Sequence, residues 1–230
     1  MILALNTAEP IHELALFDPG AGLFFEKRWP EDRKDVETLV PKLEALLTEA
    51  GATKEEIKAV LVVKGPGSFT SVRTGVAFAN ALAEGLSVKL FELSTFELFA
   101  RKLATTDPVL VVLAAGGLDV GVQSFENAKK STDAVKVGPI ATLLAEFPHD
   151  PSLKVIFQVG ETAEDELKSI ALEKGWQLVA EHERLTLGES LQSLGLDGAH
   201  PVDTVQPLYL KGPKITISSD PWKQARSGLC

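Results

Sequence analysis

Cysteine is almost missing from this chain of 230 residues: one is present, Cys230, at the very end. That excludes an internal disulfide framework and suits a reducing, cytoplasmic setting. Long apolar runs are missing too, none reaching the roughly 18 residues of a membrane helix. The apolar start Met1-Ile2-Leu3-Ala4-Leu5 meets Asn6-Thr7 at once and has no basic leader, so it reads as a first strand rather than a signal segment. Positive charge is in deficit, with 23 basic against 32 acidic residues and a net charge of −9, which argues against a direct grip on nucleic acid. The four histidines, His12, His149, His182 and His200, never stand four apart, so no helical zinc pair exists and each is expected at the surface. No G-x-S-x-G elbow occurs, and the one stretch resembling a phosphate loop lacks its lysine.

That stretch is Gly65-Pro66-Gly67-Ser68-Phe69-Thr70. It lies between a β-branched apolar run over 59–63, read as a buried strand, and a helical pattern over 69–86. Two glycines and a proline turn the backbone sharply, and Ser68 or Thr70 is placed to cap the helix. Such a corner directs free amides outward, where an anion or a partner's acceptor could dock, although a plain capped turn explains the dipeptides as well.

Around it the elements alternate. Strands are expected over 2–6, 13–17 and 23–29, then a helix over 36–50, the strand 59–63, the helix 69–86, a strand over 88–93 and a helix after Ser94 or Thr95. A three-strand meander followed by αβ crossovers is the ribonuclease-H-like layout, the half domain of the actin-like ATPase superfamily. The run 109–114 and the segment 119–125 repeat the opening; setting Ala114 opposite Asn6 places Val122 opposite Leu14. Helices over 139–147 and 161–174 and strands over 154–159 and 176–180 complete a second half. The fold class is therefore α/β, two ribonuclease-H-like halves, each a mixed sheet flanked by helices. Domains are expected at 1–104 and 105–210, with a basic tail over 211–230 carrying Lys211, Lys214, Lys223 and Arg226.

A nucleotide cleft in such a fold needs carboxylates near the first turn of each half to organise a metal ion. Here those turns read Asn6-Thr7-Ala8 and Ala114-Ala115-Gly116-Gly117, without an acid. A hard divalent cation is poorly held by an amide and an alanine, so ATP hydrolysis is not expected unless Glu13 or Asp119 takes the role. The helix over 69–86 is apolar almost all round, with Gly75, Ala77, Ala79, Ala81 and Ala83 keeping it slim, which suggests cover by a second helix or another chain.

The opening MILALNTA, the block Gly65-Pro66-Gly67-Ser68-Phe69-Thr70-Ser71-Val72-Arg73-Thr74-Gly75 and the late Gln206-Pro207-Leu208-Tyr209-Leu210-Lys211 resemble the TsaB (YeaZ) family of bacterial tRNA-modification proteins over nearly the whole chain. The resemblance implies a non-catalytic partner of the transferase TsaD, working with the ATPase TsaE to form threonylcarbamoyladenosine beside the tRNA anticodon. It implies no catalytic or metal residue and no cofactor, with any ATP or ADP held weakly or at the partner junction, and contact with tRNA only indirectly. It also implies that the two N-terminal helices pack against TsaD, or against a second copy as a homodimer. The candidates are Val36, Leu39, Val40 and Leu43 on the first helix and Thr70, Val72, Arg73, Val76, Ala77 and Asn80 on the second. Several positions depart from the family pattern: Asn6 where aspartate is common, Lys34-Asp35-Val36-Glu37 where a His-Ser-Glu-like stretch is usual, Ser71 where glycine is usual, and Ala114-Ala115-Gly116 for an Asp-Ala-Arg-like motif. The competing reading is an actin-like-fold ATPase or small-molecule kinase. A glycoprotease-type metallopeptidase would need the histidine pair that is missing.

Overall fold

A computed structural model describes residues 1–31 and 35–212 of the chain; the side chain of Val36, together with Lys34, Lys214, Lys223 and Arg226, lies outside the described residues. The first half runs β1 (Ile2–Asn6), β2 (Ile11–Asp18), β3 (Leu23–Pro30), α1 (Asp35–Ala50), β4 (Ala59–Val63), α2 (Phe69–Leu86), β5 (Lys89–Leu93) and α3 (Thr95–Arg101). The second runs β6 (Val109–Gly116), β7 (Asp119–Asn127), β8 (Lys130–Ser131), β9 (Lys136–Pro139), α4 (Ile140–Ala145), β10 (Lys154–Gln158), α5 (Glu161–Lys174), β11 (Gln177–Leu178), α6 (Leu187–Leu194) and β12 (His200–Val202).

The two sheets have one plan. The first is ordered β12-β5-β4-β1-β2-β3 and the second β11-β10-β6-β7-β8, with β9 also on β7. In each, the leading strand pairs antiparallel with its hairpin partner and parallel with the strand after the first helix. The expected duplication is thus seen, with one correction. Leu5 faces Leu14 in the first hairpin and Val112 faces Val122 in the second, so with Val122 kept opposite Leu14 it is Leu113, not Ala114, that matches Asn6. The central strands β1, β4 and β6 are buried along most of their length, which is why they read as unbroken apolar runs rather than alternations.

The last helix of each half crosses to the other. Phe96, Phe99 and Ala100 of α3 form one core with Val109, Val111, Phe125 and Ile156 of the second sheet. Leu187 and Leu191 of α6 join the core of the first sheet with Leu14, Leu16 and Leu98. Chain order therefore does not divide the molecule at 104/105: residues 187–202, expected in the second domain, pack on the first sheet, and β12 extends it beside β5. Buried Arg101 fastens the exchange, donating to the carbonyls of Gly195, at 2.6 Å, and Asp197 just beyond α6. These carbonyls close a helix and would otherwise be orphaned.

Other expectations shift by a few residues. The helix expected over 139–147 is shortened to Ile140–Ala145, since Pro139 pairs in β9 and Glu146 and Phe147 form the closing turn. The strand expected over 176–180 keeps two residues. Among the described residues no helix is long and apolar enough to cross a membrane.

Because α3 carries the second half's core, Phe96→Ala should cost about 3–5 kcal/mol and leave a single denaturant transition shared by both halves. Separate transitions, read by Trp29 and Trp176 fluorescence, would contradict the shared core.

Candidate functional site

The first turn of the first half is filled by the chain itself. Asn6, fully buried, donates its amide to Glu9 at 2.6 Å and Glu13 at 2.9 Å, while its carbonyl oxygen accepts from the Ala8 amide at 3.1 Å. The Lys102 ammonium, at the end of α3, sits 2.7 Å from each of the same carboxylates. The other Glu13 oxygen accepts from the Leu187 amide at the start of α6, 3.2 Å away, and lies 3.6 Å from Arg28. Burial alone would push the Lys102 ammonium down, but Glu9 and Glu13 hold it above its usual range. Glu13, which sequence reasoning kept as a stand-in for a missing metal ligand, is thus committed to a lysine. No cluster of three or more His, Cys, Asp or Glu suited to a metal ion exists among the described residues.

The Gly-Pro-Gly-Ser corner is shaped by close approach. A Cβ on Gly67 would lie 2.2 Å from the Ala8 carbonyl oxygen, and one on Gly75 would lie 2.2 Å from the Thr7 hydroxyl, which donates to the Ser71 carbonyl at 2.7 Å. Gly65 adopts φ +99, and a Cβ there would meet the Leu208 carbonyl at 2.6 Å. The glycines let the first turn and the segment 203–212 press their backbones against the corner, and let the Thr7 side chain reach α2. Ser68 stands at the N-cap position but accepts no helix amide, contrary to the expected cap. Its neighbour Ser71 instead donates to the Glu31 carboxylate at 2.7 Å. Burial pushes Glu31 up, but the hydroxyls of Ser68 and Ser71, with His12 nearby, outweigh it and hold the carboxyl below its usual range. Where the sequence left room for an outside anion, the chain supplies its own.

Two cavities separate the halves. One of about 710 Å³ is lined by Glu9, Glu13, Arg28, Lys102, Gln158 and Arg184. The other, of about 580 Å³, lies between the corner and the turn Ala114-Ala115-Gly116, with Glu31, Tyr209 and Lys211 on its wall. Of the histidines, His12 is buried edge-on against Trp29, correcting its expected exposure, while His149, His182 and His200 are exposed.

The outer face of the two long helices carries a groove of about 550 Å³ lined by Leu39, Val40, Thr70, Arg73, Ala77 and Phe78. Val40 is 49% exposed and Phe69, at the head of α2, 45%. Of the expected partner residues, Val40, Thr70, Arg73 and Ala77 face outward, and Leu39 forms the floor. Leu43, Val72 and Val76 are buried in the chain's own core and cannot be touched, because the apolar stripe of a surface helix turns inward. Asn80 is engaged elsewhere, holding the backbone of Val205 through both its amide groups at 3.0 and 2.9 Å. Phe69, Thr74 and Phe78 were missed; an outward spacing of three and four from Thr70 would have found Thr74.

With this geometry in hand, comparison with known proteins is decisive. Residues 30–168 match the family model of TsaD, tRNA N6-adenosine threonylcarbamoyltransferase. The chain belongs to this family. Within it the chain falls with the TsaB (YeaZ) members. It is 32% identical over 114 residues to the tRNA threonylcarbamoyladenosine biosynthesis protein TsaB of Escherichia coli, covering 50% of this chain and 48% of that protein. The match thus spans about half the length of that relative. An uncharacterised Mycobacterium tuberculosis protein is 26% identical over 162 residues, 67% of this chain and 70% of its own length. The fold matches YeaZ from Pseudomonas aeruginosa with a TM-score of 0.62 at 17% identity, over 91% of this chain and 99% of that one. The architecture, two mixed sheets flanked by helices, is the one the sequence reading expected.

Two outcomes follow from the buried charges. Asn6→Asp would set a third carboxylate against Glu9 and Glu13 and remove both amide donors, so it should destabilise the fold by about 3 kcal/mol or more, read as a shift in the denaturation midpoint. For Glu31, the lowered folded value means its contribution is present above the unfolded pKa of about 4.3 and is lost as pH falls through the folded one. The melting temperature of wild type over Glu31→Gln should therefore be higher at pH 7, with the gap closing on acidification below about pH 4.

Proposed function

We propose that the chain is a non-catalytic scaffold and activator subunit of the TsaD-TsaB-TsaE machinery that forms threonylcarbamoyladenosine next to the anticodon of tRNA. The reading rests on one observation above all: an exposed groove on the α1–α2 face with Val40 half uncovered, in a chain whose first turn is closed by its own side chains. Apolar side chains that open to solvent in this way mark contact sites. TsaD is the partner that covers the groove; TsaE acts in the same assembly in the cytoplasm, and a second copy of the chain covers the face when TsaD is absent. A net charge of −9 favours indirect rather than direct contact with tRNA. Any ATP or ADP is held weakly or at the partner junction, a reading supported by the acids beside the larger cavity being engaged by Lys102 and Asn6.

The test is reconstitution. With TsaD, TsaE, carbamoylated threonine adenylate and tRNA, omission of this chain should abolish the modified nucleoside detected by mass spectrometry, and Val40→Asp should lower its yield about tenfold, a loss of about 1.4 kcal/mol in binding. Unchanged modification without the chain would sink the proposal. Titration with Mg-ATP should give no saturable heat; tight binding would restore the ATPase or kinase reading.

A further inference from the structure

Arg73 differs from the other described arginines. Arg28 approaches Glu13, Arg101 donates to two carbonyls, and Arg184 donates to the Phe157 carbonyl at 2.9 Å. Among the described residues Arg73 has no hydrogen bond or ion pair; its guanidinium lies 5.2 Å from the centroid of the Phe69 ring. It is exposed, and along α2 from Phe69 to Leu86 the only other charge is Glu84, three turns away. The groove around it is otherwise built of Leu39, Val40, Ala77 and Phe78 with two threonines.

Its position is backed by a fixed stack. Phe69 is stacked by Tyr209, centroids 4.7 Å apart and planes 28° from parallel. Tyr209 belongs to the segment 203–212, which is tied down on both sides of the ring. Asn80 grips Val205, the Leu208 amide donates to the Lys64 carbonyl at 2.7 Å, Leu210 lies in the notch left by Gly121, and Lys211 pairs with Asp119. A guanidinium laid over a ring that is itself stacked has less freedom left to lose on meeting a ligand, and its planar fork matches a carboxylate.

We propose that Arg73, held over Phe69 by the Tyr209 segment, receives a carboxylate from the different protein that covers the α1–α2 groove, so that the partner presents an acidic side chain beside an apolar one. This rests on the partner reading given above and adds the chemistry of the contact. A second copy is the poorer occupant, because a two-fold contact centred on the groove sets Arg73 against its own copy. Tyr209 acts as a positioning residue.

The experiment is calorimetric titration of the full chain with the transferase subunit at low and high salt. Arg73→Gln should weaken binding about tenfold or more and flatten its salt dependence, with Arg73→Lys in between. Tyr209→Phe should bind as wild type, since among the described residues the hydroxyl has no hydrogen-bond partner, whereas Tyr209→Ala should weaken binding although Arg73 is intact. A complex that forms with wild type and is unchanged by Arg73→Gln overturns this proposal alone; binding unchanged by Tyr209→Ala overturns the positioning role. Failure of wild type to bind the transferase at all overturns the partner reading and this proposal with it. Sedimentation showing that Arg73→Gln breaks a homodimer instead would assign the carboxylate to a second copy and overturn the choice of occupant.

Discussion

A carboxylate with no access to water must find partners inside the protein, and Glu13 finds them in three different elements. Asn6 lies on β1, Lys102 at the end of α3 and the Leu187 amide at the start of α6. The two helices that cross between the halves therefore converge on one buried charge. Removing any of these donors leaves the charge underpaired at a cost far above that of a surface contact. The Lys102 carbonyl in turn accepts from the Leu185 amide at 2.8 Å, so the crossing points are locked to each other as well as to Glu13.

That arrangement leaves the carboxylates of the first turn engaged by the chain itself. A metal-organising turn must leave carboxylate oxygens free for a cation, whereas here an ammonium already stands among them. An aspartate at position 6 would repel Glu9 and Glu13, while the amide donates to both. Asn6 is thus a consistent part of a closed turn. Ser71 is similar: its hydroxyl engages Glu31 beside the corner.

Much of the fold was legible in the sequence. β1, β4, α2 and α5 fall on the residues that patterning assigns, because long periodic or wholly apolar segments bury the same faces wherever they pack. The stretch after residue 180 was not legible. α6 has eight residues and β12 three, and each is held by a partner remote in sequence, α6 by β2 and β3, β12 by β5. The residues expected to meet a partner divide between core and surface. Apolar residues of α1 and α2 drew attention, yet Leu43, Val72 and Val76 face the core, and the outward surface is made of Val40, Thr70, Arg73 and Ala77.

By itself the sequence determined the two-half α/β architecture, the scarcity of positive charge, the lack of an acid in either first turn and the family motifs, since all of these depend on residue type and local spacing. Tertiary structure alone decided that the helices after each half change places, that Lys102 occupies the carboxylates and that Asn80 and Tyr209 serve a returning segment. It also decided that Arg73 stays open. Those outcomes depend on atoms tens of residues apart coming within hydrogen-bonding or stacking distance, and no local pattern encodes which of several possible partners a buried charge or a free ring will meet.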